Sequence, residues 1–238
     1  MRVASSQPTF LSYPGYFGLI DYVDKFIIMD DVQFASRGWQ QRVLVKINKN
    51  PNYLTIPVVK KNLRSQLILE TKIDNSKKYI NDHLLTIKHS YSKYPFFKEF
   101  FPEIEFIYKK RFDKLIELNL EFIFYFLKIL EIDKNKIVRL SQLDLNKNAK
   151  KDDLIHEICL NVDNTSEYVA TEGARTYLKK NIRLNKDFKI RYFMFRSSDD
   201  NLHEYNGKPC HLSIIHYLFS YGRKTKEIIR SNFVISKN

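Results

Sequence analysis

The sequence predicts an α/β fold: a parallel-sheet core carrying a β-hairpin and a mainly helical insertion. Three observations point there. Phe26-Ile27-Ile28-Met29 is an all-apolar run of the kind that suits a parallel strand buried on both faces. It closes a strand–loop–helix–strand succession within about 30 residues, the sequence form of a βαβ unit. Between about 77 and 131 the apolar positions switch to three- and four-residue steps, which is helical periodicity. With 238 residues, 44% of them apolar, a single domain spanning 1–238 can close a core, and wholesale disorder is excluded.

Residues 1–6 read as the opening strand, stopped by Pro8. Tyr13-Pro14-Gly15-Tyr16 is turn chemistry, and Phe17, Leu19, Ile20 and Val23 form one face of a short helix. Val43–Ile47 and Tyr53–Val59 are expected as strands about the turn Asn48-Lys49-Asn50-Pro51-Asn52, with a further strand over Gln66–Ile73. In the insertion, Ile80, Leu84, Ile87 and Tyr91 mark one helix face, and Leu115, Leu118, Phe122 and Phe126 another. Tyr94-Pro95 and Phe101-Pro102 are expected to interrupt it, because Pro disfavours helix in the residue before it. Ile137–Leu140 is a strand candidate and Leu154–Leu160 a helix. Tyr168–Ala170 is a strand leading into a helix through Leu178, and Phe188–Phe195 another strand. Ser213–Tyr221 reads as a helix stopped by Gly222, and Thr225–Val234 as the last one.

Composition narrows the function classes. Forty Lys+Arg against 27 Asp+Glu leave a net charge of +13, which favours phosphate-bearing partners. The lysines are dispersed and no DNA-reading motif occurs, so DNA is not expected as a partner. Two cysteines exclude a disulfide framework and a four-Cys zinc site, no H-E-x-x-H occurs, and no metal site is expected. The best membrane candidate, Leu118–Leu130, holds Asn119, Glu121 and Lys128, too short and polar to span ~30 Å of hydrocarbon. No apolar signal region opens the chain, so a cytoplasmic, reduced protein is expected. His83 and His89 read as helix-surface residues and Cys159 as core. Cys210, with His203, His211 or His216 as its base, is a minor candidate for nucleophilic chemistry.

In a parallel sheet the ligand lies beyond the carboxyl ends of the strands. The exits of the first two strands, Gln7–Tyr16 and Asp30–Arg42, should therefore share one rim. That rim holds the densest polar cluster of the chain. Asp30 and Asp31 are the candidate catalytic pair, as a base or as holders of Mg²⁺. Arg37 and Arg42 offer planar donors for a pyrophosphate, and Trp39 a stacking face. Gln7, Tyr16, Gln33 and Gln40 would orient substrate by hydrogen bonds, and Arg175, at a second strand–helix junction, would reach phosphate. Neither G-x-G-x-x-G nor a P-loop is present, so a standard dinucleotide or P-loop site is not expected.

These residues also carry a resemblance. Gln7-Pro8-Thr9-Phe10-Leu11 with Gly15-Tyr16-Phe17, then Asp30-Asp31-Val32-Gln33-Phe34 and Arg37-Gly38-Trp39-Gln40-Gln41-Arg42, resemble the WbqC-like protein family. Thr55-Ile56-Pro57-Val58, Leu154-Ile155 with Ile158-Cys159, and Leu212-Ser213-Ile214-Ile215 extend the likeness. Departures are Gln41 for the family's usual Asn, Ala170-Thr171 for a common Ser-Gly, and His216 for an Asp. The resemblance implies a role in bacterial surface polysaccharide synthesis, such as O-antigen, through amide formation on the amino group of a nucleotide-linked amino sugar. The acyl donor it leaves open is an ATP-activated acid with Mg²⁺ or an aminoacyl-tRNA. A weaker resemblance, to pantothenate synthetase and other nucleotidylyltransferase-like enzymes, implies a Rossmann-like core. Tyr13-Pro14-Gly15-Tyr16 stands where those enzymes carry an H-x-G-H turn. The alternatives are thus an ATP-dependent ligase or nucleotidylyltransferase, and a nucleotide-sugar-binding protein without turnover.

Overall fold

The computed structural model describes residues 1–47, 50–59, 66–145, 152–197 and 203–237. β1 (Arg2–Ser6) leads through α1 (Pro14–Tyr22) to β2 (Lys25–Ile28), which lies parallel beside it, Val3 opposite Lys25 and Ser6 opposite Ile28. The hairpin β3 (Arg42–Ile47) and β4 (Asn50–Thr55) stands outside that sheet. Helices α2 (Tyr79–Tyr91), α3 (Phe97–Lys109) and α4 (Leu115–Ile129) make the insertion, and β5 (Ile137–Arg139) returns to the sheet beside β2. After α5 (Asp152–Asn161), β6 (Glu167–Thr171) enters on the other side of β1. The short helices α6 (Arg175–Leu178) and α7 (Ile182–Asp187) lead to β7 (Lys189–Phe195). A second hairpin, β8 (His203–Tyr205) and β9 (Lys208–Cys210), precedes α8 (Ile214–Tyr221), α9 (Thr225–Ser231) and β10 (Phe233–Lys237).

The sheet order is β10-β7-β6-β1-β2-β5, parallel except for β10. From β1 the chain winds outward to β5, then comes back to the other side of β1 for β6 and β7. That reversal defines a Rossmann-like sheet with its switch point between β1 and β6, where such folds open a crevice. The parallel strands are buried as their apolar runs demand: Phe26, Ile27 and Ile28 are inaccessible to solvent. The insertion shares its core with the first βα unit, Phe17 packing edge-on to Phe126 at 5.6 Å and Phe10 to Phe122 at 6.1 Å. Among the described residues, no helix is long and apolar enough to cross a membrane.

Five expectations are corrected. Gln66–Ile73 is a turn of 3₁₀ helix over Ile68–Glu70, not a strand. Its backbone serves the β2 exit, Leu69 N–H donating to Asp30 O, Ile68 N–H to Val32 O and Gln66 O accepting from Phe34 N–H. Pro102 lies inside α3 rather than ending a helix. Burial of Phe97, Phe100, Phe101, Ile104 and Ile107 there outweighs the ~3 kcal/mol that an interior Pro costs. The last helix stops at Ser231, and Val234 belongs to β10, paired with Met194. His83 is buried rather than on the surface, its Nδ1 at 3.2 Å from the Tyr108 hydroxyl. The first hairpin forms with its second strand shifted back to Asn50–Thr55, while Asn48 and Lys49 of the expected turn lie outside the described residues.

Candidate functional site at the sheet switch point

The loop after β1 is held from three sides. Phe10 N–H donates to Trp39 O at 2.9 Å, joining the β1 exit to the β2–β3 loop, and the Gln40 amide donates to Gln7 Oε1. Asn119, buried on α4, donates to Pro8 O at 3.3 Å and Gln40 O at 2.8 Å. At the start of α8, Ser213 Oγ donates to Leu11 O at 2.6 Å and Ile214 N–H to Ser12 O at 2.8 Å. Leu11 has a φ of 42°, a conformation costing an L-residue on the order of 1–2 kcal/mol, and these bonds hold it there. Pro14 then starts α1 at its first turn, and Gly15 lets the helix touch β7: a Cβ there would lie 2.6 Å from Phe195 Cβ.

The held loop walls a cavity of about 420 Å³ between the exits of β1 and β6. Ser6 and Thr171, the last residues of those two strands, form its sheet side. Tyr13 and Tyr16 line it from the α1 turn, Trp39 and Arg42 from the β2–β3 connection, and Cys210 and His211 from the second hairpin. The volume is that of a pocket for one small ligand. Trp39 is 53% exposed at the rim, and the Arg42 guanidinium lies 4.2 Å from the centre of the Tyr53 ring. Among the described residues no carboxylate pairs with Arg42. The Tyr16 hydroxyl is buried without a hydrogen-bond partner there, a costly state. Burial raises the phenols: Tyr13 is pushed up to about 12 and Tyr16 further, so both hydroxyls stay neutral donors. Tyr13 stacks on His211 at 5.3 Å, and Ser197 Oγ sits 3.0 Å from His211 Nδ1.

Of the residues expected at the site, Tyr16, Trp39 and Arg42 line the cavity, and Gln7 and Gln40 brace its loop. Asp30 is fully buried at the end of β2. It accepts hydrogen bonds from Arg139 Nε at 2.6 Å, Ser141 N–H at 2.9 Å and Ser141 Oγ at 2.7 Å, which tie β2 to β5. Asp31 and Gln33 are exposed on the same rim, and Arg37 is exposed in a turn with φ of 60°. Arg175 pairs with Glu172 at 2.5 Å and lies 4.0 Å over the Tyr192 ring, away from the cavity lining; from that junction Thr171 is the residue that reaches the cavity. Among the described residues, no three His, Cys, Asp or Glu side chains gather as for a metal ion.

Two features were overlooked by sequence reasoning although both left a trace. Asn119 is a lone amide in an otherwise apolar helix face. The hairpin bearing Cys210 and His211 turns on Asn206-Gly207, with φ of 53° and 71°, the pair that a two-residue hairpin turn requires.

Fold and cavity together define a Rossmann-like α/β protein with a cavity at its sheet switch point. The chain belongs to the WbqC-like protein family, whose sequence model matches residues 7–228. It is similar to the uncharacterized protein Rv1507c of Mycobacterium tuberculosis, 27% identical over 230 residues that cover 96% of this chain and 97% of that one. No solved structure matches it.

Proposed function

We propose that the protein forms an amide on the amino group of a nucleotide-activated amino sugar, as an acyl- or aminoacyltransferase of bacterial surface polysaccharide synthesis. The observation that carries this reading is the switch-point cavity, an aromatic chamber whose guanidinium, among the described residues, has no carboxylate partner. Arg42 would take a diphosphate by charge-assisted hydrogen bonds, and Trp39 would stack on the nucleobase. The Tyr16 hydroxyl would donate to a sugar or acyl oxygen. The net charge of +13 suits a nucleotide-linked acceptor and equally an aminoacyl-tRNA donor. The family resemblance supplies the polysaccharide setting.

Tyr13 and Tyr16 stand where nucleotidylyltransferase-like enzymes present two imidazoles, and their hydroxyls stay neutral. Neutral donors do not reproduce the charge those imidazoles bring to ATP, so the nucleotidyl-transfer route of that turn is not supported, although Arg42 gives the cavity a cation. This favours acyl transfer over a ligase or nucleotidylyltransferase. Of the two neighbouring carboxylates, Asp31 is the one open to a ligand, since Asp30 is saturated by Arg139 and Ser141.

Trp39 is the chain's single tryptophan, so its fluorescence reports on this site alone. Quenching by UDP is expected. A nucleotide-linked 4-amino sugar should gain the mass of one acyl group when incubated with charged tRNA; a parallel tube holds glycine or acetylated glycine with ATP and Mg²⁺. Acylated sugar formed from free glycine and ATP, with pyrophosphate released and no aminoacyl donor present, would turn the reading to an ATP-dependent ligase, and pyrophosphate release without acylated sugar to a nucleotidylyltransferase. Tight binding with no product in either tube would turn it to a sugar-nucleotide-binding protein.

A further inference from the structure

An amine attacks an acyl carbon only as the neutral base, so a site that acylates an amino sugar needs a proton acceptor on its wall. Asp30 is occupied, and Asp31 lies outside the cavity lining. His211 is on that lining. Its ring is stacked on Tyr13 at 5.3 Å and lies edge-on to Phe195 at 5.5 Å, which fixes its plane. Its Nδ1 lies 3.0 Å from Ser197 Oγ, which in turn lies 3.3 Å from the Tyr217 hydroxyl. Resting on the amide-forming reading above, we propose that His211 is the proton acceptor of the site, its Nδ1 held by Ser197 so that Nε2 is left for an ammonium in the cavity. Ser197 is then a positioning residue that selects the Nδ1–H tautomer.

The surroundings suit that role. The groups that face the ring are neutral (Tyr13, Ser197 and, beyond it, Tyr217), and among the described residues no carboxylate is hydrogen-bonded to it. The titratable Cys210 precedes it on the same wall, and Arg42 is the cation of the cavity. Desolvation holds the imidazole below its ordinary value, so it is unprotonated at neutral pH and able to accept. The Cys210 thiol is raised by burial and by Glu204, which keeps it protonated and makes it a poor nucleophile. In the step itself the sugar ammonium gives one proton to His211 Nε2, and the freed lone pair forms the C–N bond to the carbonyl of an activated acyl ester. As the ester C–O bond breaks, the departing oxygen takes that proton back from His211. The second ammonium proton leaves to solvent, and the products are amide, alcohol and H⁺.

Two measurements on the full chain test this. Diethyl pyrocarbonate acylates accessible neutral imidazoles, and peptide mass spectrometry scores each histidine. His211 should be labelled at pH 6 at least as fast as the exposed His89, while buried His83 and His216 are spared, and UDP should protect it several-fold. Failure to label His211, or labelling that saturating UDP leaves unchanged although Trp39 is quenched, would overturn the proposal. In the acylation assay, His211→Gln should lower kcat at least 100-fold with KM changed less than threefold. Ser197→Ala should lower it about tenfold and shift the acid limb of the pH–rate profile, which a merely structural role would not do. Wild-type turnover by His211→Gln overturns the base assignment and leaves acylation standing. Labelling and protection with no acylation by the wild-type protein refutes the amide-forming reading and, with it, this role for His211.

Discussion

The exits of β1 and β2 lie side by side on one rim and are finished in opposite ways. At the end of β2, Asp30 meets Arg139 and Ser141, and its carboxylate closes on protein donors. At the end of β1, Arg42 lines a cavity with no carboxylate partner among the described residues, and the Tyr16 hydroxyl is buried without a hydrogen-bond partner among them. Dense charge in a sequence therefore marks two different things. Where a long-range partner arrives, it becomes a strut. Where none does, it stays open to a cavity.

The largest way to strain this contrast is acid. Burial holds His83 down to about 4 and His216 to about 3, whereas the unfolded chain takes up these protons near pH 6.5. Between those values the unfolded state binds more protons, so stability is full above pH 6.5 and falls as the pH drops. At pH 5 the loss should be about 2 kcal/mol per histidine, or roughly 4 kcal/mol together. Urea unfolding at pH 7 and pH 5 measures it, and His216→Gln should remove about half of the slope. His216 packs against His203 of the second hairpin, so acid should weaken the cavity wall.

Next is the strut itself. Asp30→Ala leaves the Arg139 guanidinium and Ser141 without their acceptor. It should cost about 3 kcal/mol, the low end for a broken buried pair, because Arg139 keeps 36% of its side chain in water. UDP quenching of Trp39 in the folded variant should be unchanged; its loss would break the contrast, making the β2 exit part of the site.

Gly15→Ala acts on the open side. The added Cβ meets the Tyr13 ring and Phe195, so a loss of about 1–3 kcal/mol and a displaced cavity wall are expected, read as a lower melting midpoint and weaker UDP binding. The smallest stability change belongs to Arg42→Ala. Its contact with Tyr53 is lost, within about 1 kcal/mol, while UDP affinity should fall at least about tenfold. If stability falls and affinity does not, Arg42 belongs to the structural class with Asp30.

Much of the fold was legible because it is written in local periods. The apolar run at Phe26 and the three- and four-residue steps of the insertion each fall on the element expected. Gln66–Ile73 failed that test because its backbone found its partners in the β2–β3 loop, and β10 because a helical start at Thr225 gave way to pairing with β7. At the site, Tyr16, Trp39 and Arg42 were readable from residue type and strand exit. Thr171 and His211 were less so, since they come from elements far along the chain.

What the sequence by itself determined is most of the elements and the rim that the first two strand exits share, because side-chain periodicity and turn residues act over a few positions. Which carboxylate is spent on the protein and which polar groups stay open was decided only by tertiary structure. Arg139 and Ser141 stand 109 and 111 residues from Asp30, and Ser213 stands 202 from Leu11. Pairing at such separations depends on the strand order that brings the exits together.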